Sequence, residues 1–363
     1  MEQFLSILMM AFMAIAMVDQ IFLKGKFGLG AEMERGIATT GSLVLSMAGI
    51  MCIAPVLGDG LRVIVTPFFR AVGVDPAMIS GMLLAVDMGG LTLAQTMTSN
   101  PDVAMLSGVI LSSMMGVTIV FTIPVVLGLC REEDMKEVLM GIVLGVISIP
   151  VGLIVGAFAA GIPFSTLLSN SMPVLILCVV LAVVLIQFPE KTLVVFRGFG
   201  AFLKAVCMFS LLFAAVEEVL GITVIPGMDP LGEQLKTIGI IGIRLAGAYP
   251  LVAVLKRVLA PALSKIGNLL GVNESSIAGM VAGLANSFPL FDMVKDMDAR
   301  GKIVALAFGV PSLSAFGAHL GYVSTAVPEG VAPMIAGKLA AGVAAVILAE
   351  CFMKFSGYKV EKV

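Results

Sequence analysis

The sequence has no tryptophan, one histidine (His319) and five scattered cysteines in 363 residues, and only 13% of it is charged. Each shortage excludes something. Without a CxxC pair or a His/Cys cluster there is no zinc or iron–sulfur site to expect, and no metal or other cofactor. One histidine without a clear partner leaves no nucleophile–base pair, so no catalytic residue and no enzyme is expected. There is no Walker A loop and no GxSxG elbow. The stretch Gly25-Lys26-Phe27-Gly28-Leu29-Gly30 does not follow a strand and reads as a loop. A net charge of −2 gives no basic surface for nucleic acid. No polar stretch exceeds roughly twenty residues, the length of one membrane span, so no soluble domain of useful size is present.

What is abundant is apolar sequence: 59% of the residues, with a mean hydropathy of +1.10. The apolar runs are continuous rather than alternating, which points to helices and away from a β-barrel. The chain reads as an all-α polytopic membrane protein with eleven hydrophobic segments at 3–23, 36–57, 77–97, 103–130, 138–160, 172–188, 199–220, 237–255, 276–294, 302–323 and 331–353. Two mixed stretches, 58–76 and 256–275, read as interfacial. The first segment reads as an anchor rather than a cleaved signal, since no Lys or Arg precedes it and no small-residue cleavage site follows.

The chain repeats itself at an offset of 198. Phe4-Leu5 matches Phe202-Leu203, Ala48-Gly49 matches Ala246-Gly247, and Gly73-Val74-Asp75 with Ile79, Gly81 and Met82 matches Gly271-Val272-Asn273 with Ile277, Gly279 and Met280. If all eleven segments crossed the bilayer, Lys and Arg would divide evenly between the two sides. If the third segment of each half instead enters and leaves on one face, the split becomes 17 to 3, as the positive-inside rule requires. Lys256, Lys265, Lys359 and Lys362 count among the 17; Arg62, Arg70 and Lys236 are the three. The expectation is two inverted five-segment repeats, each with a re-entrant hairpin and a broken helix. That makes nine full spans plus two hairpins, with the N-terminus outside and the C-terminus cytoplasmic. Eleven plain spans are the alternative. The corresponding units are a first repeat at 1–160, a linker span at 161–198 and a second repeat at 199–363.

Helix breakers mark the two hairpin tips: Asp87-Met88-Gly89-Gly90 and Asn286-Ser287-Phe288-Pro289. Asp87 is the most informative residue. A carboxylate at mid-membrane is costly unless something stabilises it, so it reads as a counter-ion for a cationic substrate or as half of an ion pair with Lys338. Gly89 and Gly90 shape its tip. Asn286 and Ser287 suit either a substrate hydroxyl or the cap of a half-helix, and Phe288 has a face for a cation. Thr118, and His319 opposite it in the second half, lie where the helices at 103–130 and 302–323 are expected to break. For Thr118 a bond to its own helix backbone is the competing reading, and for His319 packing competes with proton relay. Glycine pairs 141/145 and 152/156 permit close helix packing. Arg244 is expected to be neutralised by Glu217 or Glu218.

At these motifs the sequence resembles the ethanolamine-utilisation permeases, EutH. The likeness runs through nearly the whole chain. It is carried by Leu84-Ala85-Val86-Asp87-Met88-Gly89-Gly90, by Ser113 to Pro124 (SMMGVTIVFTIP), by Ile225-Pro226-Gly227-Met228-Asp229-Pro230 and by Gly247-Ala248-Tyr249-Pro250. Gly279-Met280-Val281-Ala282, Met297-Asp298-Ala299-Arg300-Gly301-Lys302 and His319-Leu320-Gly321 add to it. Ala318 stands before the histidine where some members carry an acidic residue, so His319 receives no carboxylate from that position. The resemblance implies a permease of the bacterial cytoplasmic membrane that admits ethanolamine for catabolism. Its partners would be ethanolamine and membrane lipid, with homo-oligomerisation left open. The residues are compatible: Asp87 offers a charge for the ammonium, and Asn286, Ser287 or Thr118 offers a partner for the hydroxyl. A sodium- or proton-coupled carrier for another small amine, and a membrane scaffold, are the competing readings.

Overall fold

In the computed structural model, the described residues are 2–355, with the side chains of 2–5, 255–256 and 259–269 excepted. Lys359 and Lys362 therefore lie outside the described residues, as do the side chains of Phe4, Leu5, Lys256 and Lys265. The described chain is helical and contains no strand. Seven helical stretches are long and apolar enough to cross a bilayer: Leu29–Ala71, Pro101–Leu129, Glu132–Ala159, Phe164–Gln187, Pro189–Leu220, Leu231–Val254 and Pro328–Phe355.

Helix α1 (Glu2–Phe22) is followed by α2 (Leu29–Leu43), which runs through a π-helical turn at Val44–Ala48 into α3 (Gly49–Ala71). Asp19 sits at the join of the first two. Its carboxylate accepts from the amides of Phe27 at 2.9 Å and Leu29 at 2.8 Å, the unpaired donors at the start of α2. Its burial is thus accounted for by capping. The stretch 58–76, read as separate from the segment before it, belongs mostly to α3. That helix passes through Pro55 and Pro67 and leaves Val63, Ile64 and Phe68 exposed.

Segment 77–97 is two short helices rather than one. Helices α4 (Met78–Leu83) and α5 (Leu91–Met97) flank an extended Leu84–Ala85 and a bend at 86–90, where Met88 leaves the helical region and Gly89 takes φ 91°. A side chain at position 89 would be strained by that φ. The two ends of this segment meet, because the Thr98 hydroxyl donates to Asp75 at 2.8 Å. The backbone opened by the bend is satisfied locally. The Ala85 carbonyl accepts from the amides of Met88 and Gly90, and the Ser80 hydroxyl donates to the Gly90 carbonyl. Segment 276–294 does the same. Helices α12 (Glu274–Ala285) and α13 (Ser287–Met293), numbered after those between, meet at an extended Asn286, and Asn273 at one end donates to the Asp296 carbonyl at the other.

The stretch 103–130 departs from expectation. It is helical throughout, from α6 (Pro101–Ala104) through π-helical turns at Met105–Gly116 and Thr118–Thr122 to α7 (Ile123–Leu129). It is widened, not broken. Ser112, Ser113 and Thr118 return hydrogen bonds to carbonyls three or four residues back, which satisfies backbone groups that a regular helix would use. Its counterpart does break: α14 (Ala299–Ser312) and α15 (Ala318–Ala326) are separated by 313–317, with Ser314 at φ 57°. The amides of Ser314 and Phe316 donate to the Gly283 and Leu284 carbonyls at the end of α12, so the two irregular segments complete each other.

Helices α8 (Met135–Ala159), α9 (Phe164–Gln187), α10 (Pro189–Leu220), α11 (Leu231–Leu270) and α16 (Val331–Phe355) complete the bundle. The glycines of α8 let α14 and α16 approach to backbone distance, as the spacing predicts. One end of the bundle gathers bases. Arg257 bonds the Phe27 carbonyl, Arg300 pairs with Glu350, and the half-buried Lys302 pairs with the buried Asp134. The base of the second doubled-back segment lies there, with Arg300 donating to the Leu270 carbonyl at 2.5 Å. The base of the first lies at the other end, in a cavity of about 890 Å³ that also contains Arg62, Arg70 and Asn170. The expected neutralisation of Arg244 does not occur. Glu217 accepts from the Thr223 hydroxyl just beyond its own helix, and Glu218 accepts from the Gly232 amide in the first turn of α11, a donor that a helix start leaves unpaired.

Two glycines permit close approaches at the bends. A Cβ on Gly116 would overlap the Leu84 carbonyl at the first bend, and one on Gly317 would overlap the Ala285 carbonyl at the second. Both obstacles are backbone and cannot rotate away. Gly116→Val and Gly317→Val are expected to destabilise the protein by at least about 1–3 kcal/mol. Gly198→Ala, where nothing lies within 4 Å, should leave stability unchanged. Thermal unfolding in detergent checks this ordering.

Candidate functional site

The bend at 86–90 packs against the π-helical stretch 105–116 and against α15. Asp87 is thereby carried to the start of α15, where its Oδ1 lies 3.7 Å from Nε2 of His319. On the other side of the imidazole, Nδ1 is 3.3 Å from Nζ of Lys338, which comes from α16. Lys338 also donates to the Ser113 carbonyl of the π-helical stretch. Four separate elements converge on one row of atoms: carboxylate, imidazole, ammonium, carbonyl.

The sequence offered an ion pair with Lys338 as the alternative to a substrate counter-ion for Asp87. In the structure His319 contacts both side chains, with Asp87 on one ring nitrogen and Lys338 on the other. The carboxylate that His319 lacks at position 318 is supplied from position 87. A charged lysine only donates, so Nδ1 of His319 accepts from it and the ring proton sits on Nε2, facing Asp87. In that arrangement the row is neutral overall, one negative charge balancing one positive, which a low-dielectric interior demands. The two ends differ in access. The Lys338 side chain is fully buried and His319 is 3% exposed, whereas Asp87 is 17% exposed. The only open group in the row is therefore the carboxylate.

The remaining candidates divide between this row and the second bend. Gly89 and Gly90 form the turn beside Asp87. Thr118 donates to its own helix at Met114 and lies 3.5 Å from the Val310 carbonyl. Asn286 uses its side-chain oxygen to cap α13, accepting from the Phe288 amide at 3.1 Å. The hydroxyl of Ser287 faces that of Ser314 at 3.3 Å. Phe288 is exposed and stands edge-on to Phe121, ring centroids 5.4 Å apart. The bonds described for Asn286 and Ser287 do not reach Asp87. Sequence reasoning missed a hydroxyl pair beside the row: Thr92 of α5, just after the bend, and Tyr322 of α15, 3.4 Å apart. Tyr322 stands one helical turn beyond His319, which is the one signal the sequence offered for it.

A family model described as "Ethanolamine utilisation protein, EutH" matches residues 1–352. The chain belongs to this family. It is 44% identical to the probable ethanolamine permease EutH of Listeria monocytogenes over 339 residues, covering 93% of this chain and 91% of that one. It is 40% identical to the probable ethanolamine permease EutH of Salmonella typhimurium over 376 residues, covering 93% and 92%. An uncharacterized Bacillus subtilis protein, YxeR, is 37% identical over 340 residues, covering 94% and 92%. No solved structure matches. EutH is a permease family and not an enzyme family by these names, and the apolar helices make this member a multi-pass membrane protein.

The difference in access along the row is measurable. With the five native cysteines replaced, Asp87→Cys is expected to react with a small water-soluble methanethiosulfonate reagent, and Lys338→Cys is expected to remain unlabelled under the same conditions. Equal labelling at both positions would contradict the closed inner end.

Proposed function

We propose that this protein is an ethanolamine permease of the bacterial cytoplasmic membrane, and that the ammonium group of its substrate pairs with Asp87 inside the membrane. The observation that carries the reading is the unequal exposure of the row: a carboxylate open to a ligand, with its own balancing cation set one residue back. Ethanolamine carries a primary amine that is protonated near neutral pH, by analogy with lysine. An ammonium–carboxylate bond is charge-assisted and supplies the strongest single contact for so small a molecule. Thr92 of α5 and Tyr322 of α15 offer the substrate's hydroxyl a partner beside the row, and Thr118, Asn286 and Ser287 are the further candidates.

The transport mechanism in this reading is alternating access between two inverted halves, 1–160 and 199–363, joined by a span at 161–198. What supports it is the correspondence of their parts. Each half has one segment that doubles back, the two bases lie at opposite ends of the bundle, and a glycine of the following helix presses on each bend (Gly116 and Gly317). The basic end is the cytoplasmic one, which sets the N-terminus outside and the C-terminus inside, with nine full spans and two re-entrant hairpins. A scaffold would need more surface outside the membrane than these short connections provide.

The test is uptake of labelled ethanolamine into proteoliposomes at pH 6, where leak of the neutral amine is small. Asp87→Asn is expected to weaken apparent affinity by at least about thirty-fold, the effect of losing about 2 kcal/mol at one partner of a desolvated charge pair. Wild-type affinity in the variant would remove Asp87 as the counter-ion.

A further inference from the structure

Three groups in the row compete for one negative charge once a substrate arrives. Asp87 already balances Lys338, through a histidine whose Nε2–H faces the carboxylate. A second cation at Asp87 would leave two positive charges against one negative in a closed, low-dielectric place, which is strongly unfavourable. The conflict has a simple exit in this geometry. Nδ1 of His319 lies 3.3 Å from the ammonium of Lys338, so it can take that proton while Nε2 gives up its own on the exposed side.

Resting on the ethanolamine reading above, we propose that the Asp87–His319–Lys338 row is a proton-exchange device: each ethanolammonium that binds displaces one proton originating on Lys338. The step balances. The N–H bond on Lys338 breaks and its proton bonds to Nδ1 of His319. The Nε2–H bond breaks and that proton leaves to water at the open side of Asp87. The ethanolammonium brings one positive charge in, so the net charge of the row is unchanged. Before exchange, Nε2 carries a proton that faces Asp87 across 3.7 Å, too long for a hydrogen bond. After exchange, Nε2 is an acceptor beside the carboxylate, and the two together offer an ammonium group two acceptors. The neutral Lys338 then accepts from Nδ1–H and still reaches the Ser113 carbonyl. The device thus prepares the site for the cation that replaces the proton.

The other titratable groups on the surrounding elements are engaged elsewhere. Tyr322 of α15 meets Thr92, and Tyr249 of α11 faces Thr39 at 3.5 Å. Arg244 lines a separate cavity with Lys236, and Glu350 on α16 pairs with Arg300 far from Lys338 along the helix. Cys52 of α3 lies where the outer loop returns, its carbonyl bonded to the Asp229 amide. Of these, Tyr322 lies within electrostatic reach of Asp87, and the others do not touch the row.

Calorimetric titration of the full-length protein in lipid nanodiscs with ethanolamine, repeated at pH 7 in buffers of different ionisation enthalpy, counts the protons released on binding. Wild type is expected to release about one, and its affinity to rise about tenfold per pH unit through linkage. Lys338→Met is expected to release none and to lose the pH dependence. Lys338→Arg keeps the charge but cannot shed it, and is expected to bind at least tenfold more weakly and release none; it carries the test if the methionine variant does not fold. A proton shed by the amine itself would still appear in both variants, and that result overturns the proposal. Binding without proton release by wild type overturns it while leaving the ethanolamine reading intact. No binding at all removes both.

Discussion

A carboxylate and an ammonium inside a bilayer must be balanced within the protein, and that constraint accounts for more of this structure than any other. Asp87 and Lys338 come from segments 251 residues apart. To bring them onto one row the chain doubles back at 86–90, breaks at 313–317 so that α15 can begin beside the bend, and threads α16 behind it. Each of these distortions opens backbone groups in a place without water. Each is closed by a neighbour: Ala85 and Ser80 within the first bend, Gly283 and Leu284 for the break. The irregular backbone persists because its parts satisfy one another.

The same reasoning explains why the two halves look alike in backbone and differ in chemistry. Position 75 is aspartate and position 273 asparagine, and both tie the base of a doubled-back segment. The bends they close diverge. The first presents a carboxylate to an imidazole. The second spends its amide on capping a seven-residue helix and its hydroxyl on a neighbouring serine. Of the two bends, the first therefore holds the charged position, and the second contributes closure and packing, with Phe288 against Phe121.

Much of this was legible in the sequence because membrane helices announce themselves by length and apolar run, and because Asp87, His319 and Lys338 are conspicuous in so apolar a chain. The break within 77–97 was legible in Gly89-Gly90. The order of the row was not. Whether Lys338 touches Asp87 or His319 depends on how α15 and α16 cross, which periodicity does not encode. The widening of 105–122 was read as a break because Ser, Thr and Gly mark both outcomes. Only the hydrogen bonds from Ser112, Ser113 and Thr118 to their own helix distinguish them. Asp19 finds its partners in main-chain amides, which no side-chain pattern displays.

The placement of His319 bears on what the buried charges are for. If Lys338 served only to neutralise Asp87, direct contact would be the stronger arrangement, since Coulomb attraction falls with distance and a bonded pair also satisfies its own donors and acceptors. An imidazole set between them lengthens the separation and gives up that direct bond. In return the carboxylate keeps an open side, and the only group between the two charges is one that can hold a proton on either nitrogen. A carboxylate held on one side by a weakly bound neutral ring can be taken by another cation. One locked onto a lysine cannot. The arrangement gives up the tightest ion pair and leaves the carboxylate with an open side.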